Sequence, residues 1–345
     1  MSGMLRYILK RLALAALTLF TILLVSYILV RLAPGNPAKS SFLGRNQGAA
    51  AGLSAEKGAF VRNESLIKKL HLDDPPLVGF YYWLKGVVLH GDFGESASVD
   101  IGRPVGEIIM ERLPVTVTLN FWAILITYCL AIPIGIHSAV SKNKKLDAVV
   151  TFALFILYSL MSAWVALLLQ ATFCEGGKWP IFPLKGLKAS LNPGESTWEY
   201  IFDTAKHYVL PVICLSYAGF AGLSRYARAG MLEVVKQDYI RTARAKGLSE
   251  RVVLMKHALR NALIILITLF AGLLPGLVAG SIIVEYIFNI PGMGSLSMMA
   301  LGSRDIPLMM ALFAFGGFLT LAGIMLADIL YVVADPRISF EGRKT

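Results

Sequence analysis

The chain has 345 residues, of which 56% are hydrophobic and only 16% are charged, and its mean hydropathy is +0.64. Because soluble domains carry about a quarter charged residues, this composition predicts a membrane protein. The formal net charge of +11 does not indicate nucleic-acid binding, since the basic residues flank apolar runs and form no continuous stripe.

Six apolar runs reach, or nearly reach, the roughly 20 residues that cross a bilayer. The first, 12–30, is uncharged and longer than the apolar core of a signal peptide, so we interpret it as an uncleaved anchor. The other five are residues 114–139, 148–173, 208–224, 261–283 and 308–333. The predicted fold is an all-α polytopic membrane protein with six transmembrane helices.

Lysine and arginine positions predict the orientation of these spans. With the amino end inside, the inner segments hold 18 of the 33 basic residues, nine of them between Arg225 and Arg260, and only five acidic ones when Asp147 at a span edge is set aside. The outer segments are balanced, with ten basic and nine acidic residues between Arg31 and Arg112. The positive-inside rule therefore places both termini in the cytoplasm.

The predicted outer segment, 33–113, is too long for a simple loop. The cluster of Phe80, Tyr81, Tyr82 and Trp83 is typical of an aromatic belt on an interfacial helix, and GDFGES at 91–96 indicates a turn. The chain then divides into a cytoplasmic end with the first span (1–32), this outer segment, and a core (114–345) that includes an outer loop at 284–307 and a cytoplasmic tail.

A charged segment at 233–260 separates the fourth and fifth spans, and it is predicted to form a helix, a break and a second helix. Leu232, Val235, Tyr239 and Ala243 form an apolar stripe at helical spacing. Gly247 is suited to the left-handed conformation that ends a helix, and Ser249 is suited to cap the next one. Two interpretations stay open: an amphipathic elbow on the lipid headgroups, or a docking surface for a soluble partner.

Several kinds of chemistry have no matching motif. There is no GxxxxGK[ST] phosphate loop, GLSRY at 222–226 fails the GxSxG pattern, and the histidines include no HExxH pair. The three cysteines are scattered without metal or disulfide spacing. We therefore expect no enzyme activity and no cofactor on this chain. Asp328 is the one clear ionisable group within a span, which argues against a proton-driven carrier.

Proline and glycine interrupt several spans, at Pro133 and Gly135, at Pro211, and at Pro275, Gly276 and Gly280. Close helix packing and hinges that open a pathway are both compatible with this pattern.

A set of motifs in fixed order gives a family resemblance. DYIRTARAKGLS at 238–249 resembles the cytoplasmic coupling loop of permease subunits in binding-protein-dependent ABC importers. The surrounding blocks resemble the dipeptide and oligopeptide permease family: YILKRL, APGNP, GDFGES, HALRNAL, GSIIVEYIFNIPGMG, SRDIP and DILYVVADPRI. FPLKGL at 182–187 and the ending DPRISFEGR are most similar to the B-type permeases of the Yej oligopeptide system, which is associated with microcin C uptake.

The resemblance implies a bacterial inner-membrane subunit that pairs with a second permease, docks on ATPase subunits that bind ATP and magnesium, and receives peptide from a periplasmic binding protein. The residues it implies for coupling are Glu233, Asp238, Tyr239, Ala243, Lys246 and Gly247. A secondary, ion-coupled carrier and a membrane enzyme are the competing classes.

The resemblance also directs attention to a pathway. Asn120, Glu285 and Asp328 are candidates for contact with substrate, although Asn120 and Glu285 would serve equally well to cap or brace a helix. Met293, Gly294 and Ser295 are candidates for an outer gate or a binding-protein contact. The chain departs from the family at Ile265 and at SLMSAW (159–164), where prolines are common, so we expect those helices to be less kinked.

Overall fold

The computed structural model describes residues 2–32, 74–141, 144–184, 186–187, 197–259, 262 and 273–334. Across these residues the chain is helical, and the β pairings among them are two isolated bridges, Glu95 with Pro104 and Cys174 with Phe182. The helices are α1 (Ser2–Leu32), α2 (Pro76–His90), α3 (Val105–Val140), α4 (Lys144–Ser159), α5 (Ser162–Phe173), α6 (Thr197–Val235), α7 (Asp238–Ala245), α8 (Glu250–Val252, followed by a π-helical turn at Val253–Ala258), α9 (Leu273–Ala279), α10 (Ile282–Ile287), α11 (Met293–Ser303) and α12 (Ile306–Ala334).

Three helical stretches are long and apolar enough to cross a bilayer, namely Leu9–Leu32, Val105–Val140 and Ile306–Leu326. Two bent pairs, α4 with α5 and the two parts of α6, raise the number of candidate spans to five. These agree with predicted spans one to four and six. Much of the fifth, 261–283, lies outside the described residues, as do part of the outer segment and the tail beyond Ala334.

The third predicted span is not one straight helix, and the expectation of a less kinked helix at SLMSAW was wrong. Helices α4 and α5 meet at an angle of 94°. Met161 is extended there, with φ −71° and ψ 130°. The Tyr217 hydroxyl of α6 donates to the carbonyl of Leu160 at 2.9 Å, which satisfies one of the carbonyls that the helix end leaves without an intrahelical partner. The break therefore forms without proline.

Contacts divide the chain into two units, the first including Met1–Pro114 and Gly292–Ala322 and the second Val115–Pro291 and Gly323–Ser339. In the first unit, α1 packs on α2 through Leu23, Tyr27 and Phe80. Phe80 is only 4% exposed, with the ring of Tyr27 5.6 Å from its own. The aromatic-belt interpretation is therefore wrong for Phe80, because it faces α1, whereas Tyr81 and Tyr82 are exposed.

The first unit also brings together two of the sequence motifs that lie more than 200 residues apart. Asp305 of SRDIP is fully buried, and one of its oxygens accepts from the Ser96 hydroxyl of GDFGES at 2.5 Å and from the backbone N–H groups of Ser98 and Val99 at 3.0 and 3.1 Å. Its other oxygen accepts from the N–H of Leu308 at the start of α12. Charge-assisted bonds of this kind fix the turn predicted at 91–96 onto a helix end.

In the second unit, α3 and α6 approach closely at Gly135. A Cβ atom on Gly135 would lie 2.6 Å from the Cβ of Ala227 and 2.6 Å from the carbonyl oxygen of Ser224. This glycine therefore serves close packing, which was one of the two interpretations of its position. Pro211 lies inside α6, and Gly280 takes a positive φ of 69° between α9 and α10.

Candidate functional site

The charged segment at 233–260 forms a folded elbow after α6. Helix α6 ends at Val235, Lys236 and Gln237 make a turn, and α7 starts at Asp238. Gln237 is extended, with φ −72° and ψ 149°, and its carbonyl accepts from the N–H of Ile240 at 3.1 Å. The sequence therefore predicted the elbow correctly as helix, break and helix but missed this first turn.

Because of this turn, the residues of the elbow that are buried differ from those that the sequence predicted. Ile240 is fully buried and Ala243 is 7% exposed, and both pack with Met231, Val253 and Ala258. Tyr239 is 43% exposed, so its place in the predicted apolar stripe was wrong. The predicted stripe treated α6 and α7 as one continuous helix. The extended Gln237 interrupts that helix, so the buried face of α7 is shifted by about one residue from the predicted face.

Gly247 ends the first arm of the elbow as predicted. Its φ is +79°, and its N–H donates to the carbonyl of Arg244 at 2.9 Å. A Cβ atom there would meet no atom within 4 Å, so a side chain would be disfavoured by backbone conformation and not by a clash. Ser249 stands at the start of α8, but its side chain makes no capping hydrogen bond.

A salt bridge that sequence reasoning missed closes the elbow across Gly247. The Arg244 guanidinium donates to both oxygens of Glu250, from Nη2 at 2.7 Å and from Nε at 3.2 Å. This hydrogen bonding, more than any other contact, raises the pKa of Arg244 above its ordinary value. Opposite charges on either side of a predicted glycine turn were the available signal.

The remaining surface of the elbow is exposed and chemically mixed. Glu233, Asp238 and Lys246 are exposed, as is Tyr239. Three large apolar side chains accompany them: Leu248 at 40%, Val252 at 39% and Met255 at 56% exposed. Of the six residues predicted for coupling, only Ala243 is buried, as part of the packing beneath this surface.

Two of the predicted pathway residues lie at the interruption between α9 and α10. The Asn120 amide of α3 donates to the carbonyls of Gly276 and Leu277, at 3.1 and 3.0 Å. These carbonyls belong to the last turn of α9, where carbonyl groups have no N–H donor within the helix. Asn120 thus caps a helix in this conformation.

Glu285 lies on the other side of the same interruption and is fully buried. Its Oε1 accepts from the hydroxyl of Thr116 at 3.0 Å, and Thr116 is one turn from Asn120 on α3. Sequence reasoning missed Thr116, although its spacing of four residues from Asn120 was visible. One face of α3 therefore braces both halves of the broken helix.

The other predicted positions are more dispersed. Met293 and Gly294 are buried at the start of α11, where Met293 packs with Val105 and Ile108. The Ser295 hydroxyl donates to the carbonyl of Gly292 at 2.9 Å. Asp328 lies in α12, and its side chain is outside the described part of the chain. Among described residues, no group of three or more His, Cys, Asp or Glu side chains could hold a metal ion.

Known proteins with similar sequences are membrane components of transport systems, which agrees with the long apolar helices of this chain. Residues 131–340 match the family described as binding-protein-dependent transport system inner membrane component, and residues 4–120 match the amino-terminal family of the same membrane components. The chain belongs to this family of transport-system membrane components.

Relatives match over almost their whole length. The chain is 38% identical to the oligopeptide transport system permease protein AppB of Bacillus subtilis, over 97% of this chain and 99% of that one. It is 33% identical to the peptidoglycan transport system permease protein YejB of Agrobacterium fabrum and 32% identical to the inner membrane ABC transporter permease protein YejB of Escherichia coli O157:H7, each over 98% of this chain and 99% of the relative. Permeases named YejB are thus among its relatives, at a lower identity than AppB.

Proposed function

We propose that this chain is the membrane-spanning permease subunit of an ATP-driven, binding-protein-dependent importer of peptides or peptide-like compounds. The observation that carries the proposal is the elbow at 233–260, which is folded around a buried core and exposes a mixed charged and apolar surface. The near full-length similarity to peptide and oligopeptide permeases supports the class of substrate.

The elbow has the properties of a protein docking surface. Tyr239, Leu248 and Met255 offer exposed aromatic and apolar area, and Asp238, the sequence neighbour of Tyr239, has a side chain that is 97% exposed. Aromatic and methionine side chains are enriched at protein interfaces, and a polar rim is usual. The occupant we propose is an ATPase subunit that holds ATP and magnesium, because this chain has no phosphate loop.

For the membrane topology we propose six spans with both termini in the cytoplasm. The excess of basic residues around the elbow supports this orientation, because short loops rich in lysine and arginine stay on the cytoplasmic side. The chain would form half of the pathway, with a second, homologous permease forming the other half and a periplasmic binding protein delivering the cargo.

For the pathway we propose the surroundings of the α9–α10 interruption. Asn120 and Glu285 are polar groups that already contact backbone and hydroxyl partners there. When the pathway opens, the same groups would be available to the amino and carbonyl groups of a peptide. Asp328 is proposed as a third polar group of the pathway.

For the outer mouth we propose α11, which begins with Met293, Gly294 and Ser295. Met293 is buried and would support the helix, whereas Met298 and Met299 are 47% and 48% exposed. A binding protein would therefore meet the later turns of α11, and the first turn would set their position.

The coupling role is tested with the assembled transporter in vesicles. Gly247→Val is expected to reduce ATP-dependent peptide uptake at least about five-fold, since a β-branched side chain disfavours a positive φ by about 1 to 2 kcal/mol and would redirect α8. Gly176→Val is the matched control, because Gly176 has a φ of +88° and open space around its Cβ but lies outside the elbow.

The same assay can refute the proposal. Equal uptake in the Gly247→Val and Gly176→Val transporters, at equal amounts of assembled protein, would show that the conformation of the elbow at Gly247 is not needed for coupling. Uptake driven by an ion gradient in vesicles that lack any ATPase would instead identify a secondary carrier.

A further inference from the structure

One arginine of the second unit turns its side chain along α6 and over an aromatic ring. The guanidinium carbon of Arg225 lies 5.7 Å from the centre of the Tyr158 ring on α4, within the distance of a cation–π contact. The same ring lies beside Gly222, where a Cβ atom would be 3.8 Å from Cε2 of Tyr158. Gly222 is about one turn closer than Arg225 to the amino end of α6, so the arginine side chain is directed toward that end.

The Tyr158 ring lies at membrane depth in the span that α4 and α5 form. Asp147, in the first turn of α4, accepts from Nη2 of Arg228 at 2.6 Å, which places the start of α4 level with Arg228. Tyr158 follows Asp147 by 11 residues, about 16 Å along a helix at 1.5 Å per residue. Even on a tilted helix, the ring lies well inside a hydrocarbon core of about 30 Å. In the proposed topology α6 runs inward, so Arg225 is directed away from the inner headgroups.

Two features argue against lipid on this face of the second unit. Arg225 is exposed, and a guanidinium in contact with hydrocarbon is costly, so cationic side chains near a span end ordinarily reach for the nearer interface. Met161, three residues after Tyr158, is 67% exposed and interrupts the helix. Backbone outside a helix occurs at membrane depth only where protein covers it or water reaches it. Arg225 and Met161 therefore face protein or an aqueous path.

The guanidinium of Arg225 has donors to spare. Among the residues that the structure describes, Arg225 forms no ion pair and no hydrogen bond, and its one interaction is with the Tyr158 ring. Arg228, one turn further along α6, is by contrast paired with Asp147. A cation–π contact does not consume the five N–H donors of a guanidinium, which stay available to an acceptor. Carboxylates and phosphates are the anions that match this planar set of donors.

We propose that Arg225, held over Tyr158, binds the terminal carboxylate of a peptide as the peptide crosses the membrane. This inference rests on the proposed function and adds a chemical class to it, namely peptides with a free carboxyl end. A lipid phosphate is the other anion near a membrane arginine, but the headgroups lie on the side from which this side chain is directed away. The sequence did not indicate the pair, because α4 and α6 bring Tyr158 and Arg225 together only in the fold.

The test uses the complete transporter in vesicles and one peptide in two forms, which end in a free carboxylate or in an amide. Initial uptake is measured at low concentrations of the loaded binding protein. Arg225→Gln removes the positive charge, and we expect the ratio of acid to amide uptake to fall about ten-fold, the worth of a hydrogen bond to a charged group. The binding protein is the same throughout, so a change in this ratio belongs to the permease. Arg225→Lys keeps the charge and should keep most of the wild-type ratio.

Lys206→Gln is the matched control. Lys206 lies on the same helix with its Nζ 5.1 Å from the centre of the Phe202 ring, but near the outer end of α6, so the ratio should stay at the wild-type value. Tyr158→Leu removes the ring and leaves the arginine, and the ratio should fall about three-fold, since an exposed cation–π contact is weak. If the Arg225→Gln transporter does not assemble, Tyr158→Leu decides the question.

An equal loss of uptake for the acid and amide forms, or an unchanged ratio, would overturn the inference. The assay is repeated in vesicles with and without anionic lipid. An effect of Arg225→Gln that appears only with anionic lipid, and equally for both forms of the peptide, would assign the arginine to a lipid phosphate and would also overturn it. The proposed function would fail separately, through absence of ATP-dependent uptake of either form by the wild-type transporter.

Discussion

Two helix interruptions in the second unit are made in different ways. Between α9 and α10, Gly280 takes a φ of +69°, which glycine adopts without steric cost. Between α4 and α5, Leu160 and Met161 are ordinary residues, and Met161 has an ordinary extended conformation. In both places a side chain from another helix binds the carbonyls that the break exposes: Asn120 at the first break and Tyr217 at the second.

The comparison shows that a partner helix can maintain a break that the local sequence does not specify. Exposed carbonyls in a bilayer lack water partners, so each one left unsatisfied is costly. The interruption at Gly280 has both a local cause and a distant partner, whereas the one at Met161 depends more heavily on its partner. Removing each contribution in turn tests that difference.

The largest effect is expected from Asn120→Leu. This substitution keeps the branched shape of the side chain but leaves the carbonyls of Gly276 and Leu277 without their donor, at a cost of about 2 to 3 kcal/mol. The free energy of unfolding in mixed detergent and dodecyl sulfate micelles measures it. Phe121→Leu, at the exposed neighbouring position, is the control. A loss no greater than that of the control would show that the amide is not needed at this break.

A smaller loss, about 1 to 1.5 kcal/mol, is expected from Tyr217→Phe, which removes the hydroxyl that donates to the carbonyl of Leu160. Tyr226→Phe, on the same helix and 56% exposed, should be near neutral in the same unfolding measurement. Proteolysis near Met161 should also accelerate in the Tyr217→Phe protein. Equal behaviour of the two variants would contradict the role of the partner helix.

The two breaks differ in how far the local sequence specifies them. Gly280 was named only as one of several proline and glycine interruptions, without its positive φ, whereas Gly247 was predicted to take the left-handed conformation because glycine is a local signal for it. The break at Met161 was missed because its cause, Tyr217, lies 57 residues from Leu160. The extended Gln237 was missed since glutamine is compatible with a helix and only the burial of Ile240 identifies the turn.

The candidate site follows the same pattern. Composition and contiguous motifs predicted the long apolar helices, the elbow and the family. The contact of Thr116 with Glu285 was not predicted, since it joins residues 169 positions apart, and the contact of Arg244 with Glu250 was missed although opposite charges flank the predicted turn at Gly247. Asp305 and Ser96 were both in quoted motifs, yet only the fold brings them together.

The glycine contribution is isolated by Gly280→Ala, which should cost about 1 kcal/mol because alanine disfavours the left-handed conformation. Gly276→Ala is the matched control within α9: its Cβ would meet open space and its φ is not positive, so it should be neutral or slightly stabilising. Unfolding in mixed micelles compares the two. The reverse order of stability would mean that Asn120 alone sets this break.

The smallest effect is expected at Ser159, the last residue of α4. Its hydroxyl donates to the carbonyl of Phe155 at 2.9 Å, a local bond of the kind that bends helices slightly but adds little stability. Ser159→Ala should therefore change the free energy of unfolding by less than about 0.5 kcal/mol. The rate of proteolysis near Met161 should also stay unchanged, since Tyr217 still binds Leu160. A marked acceleration would assign the break to the local serine and would make it resemble the one at Gly280 after all.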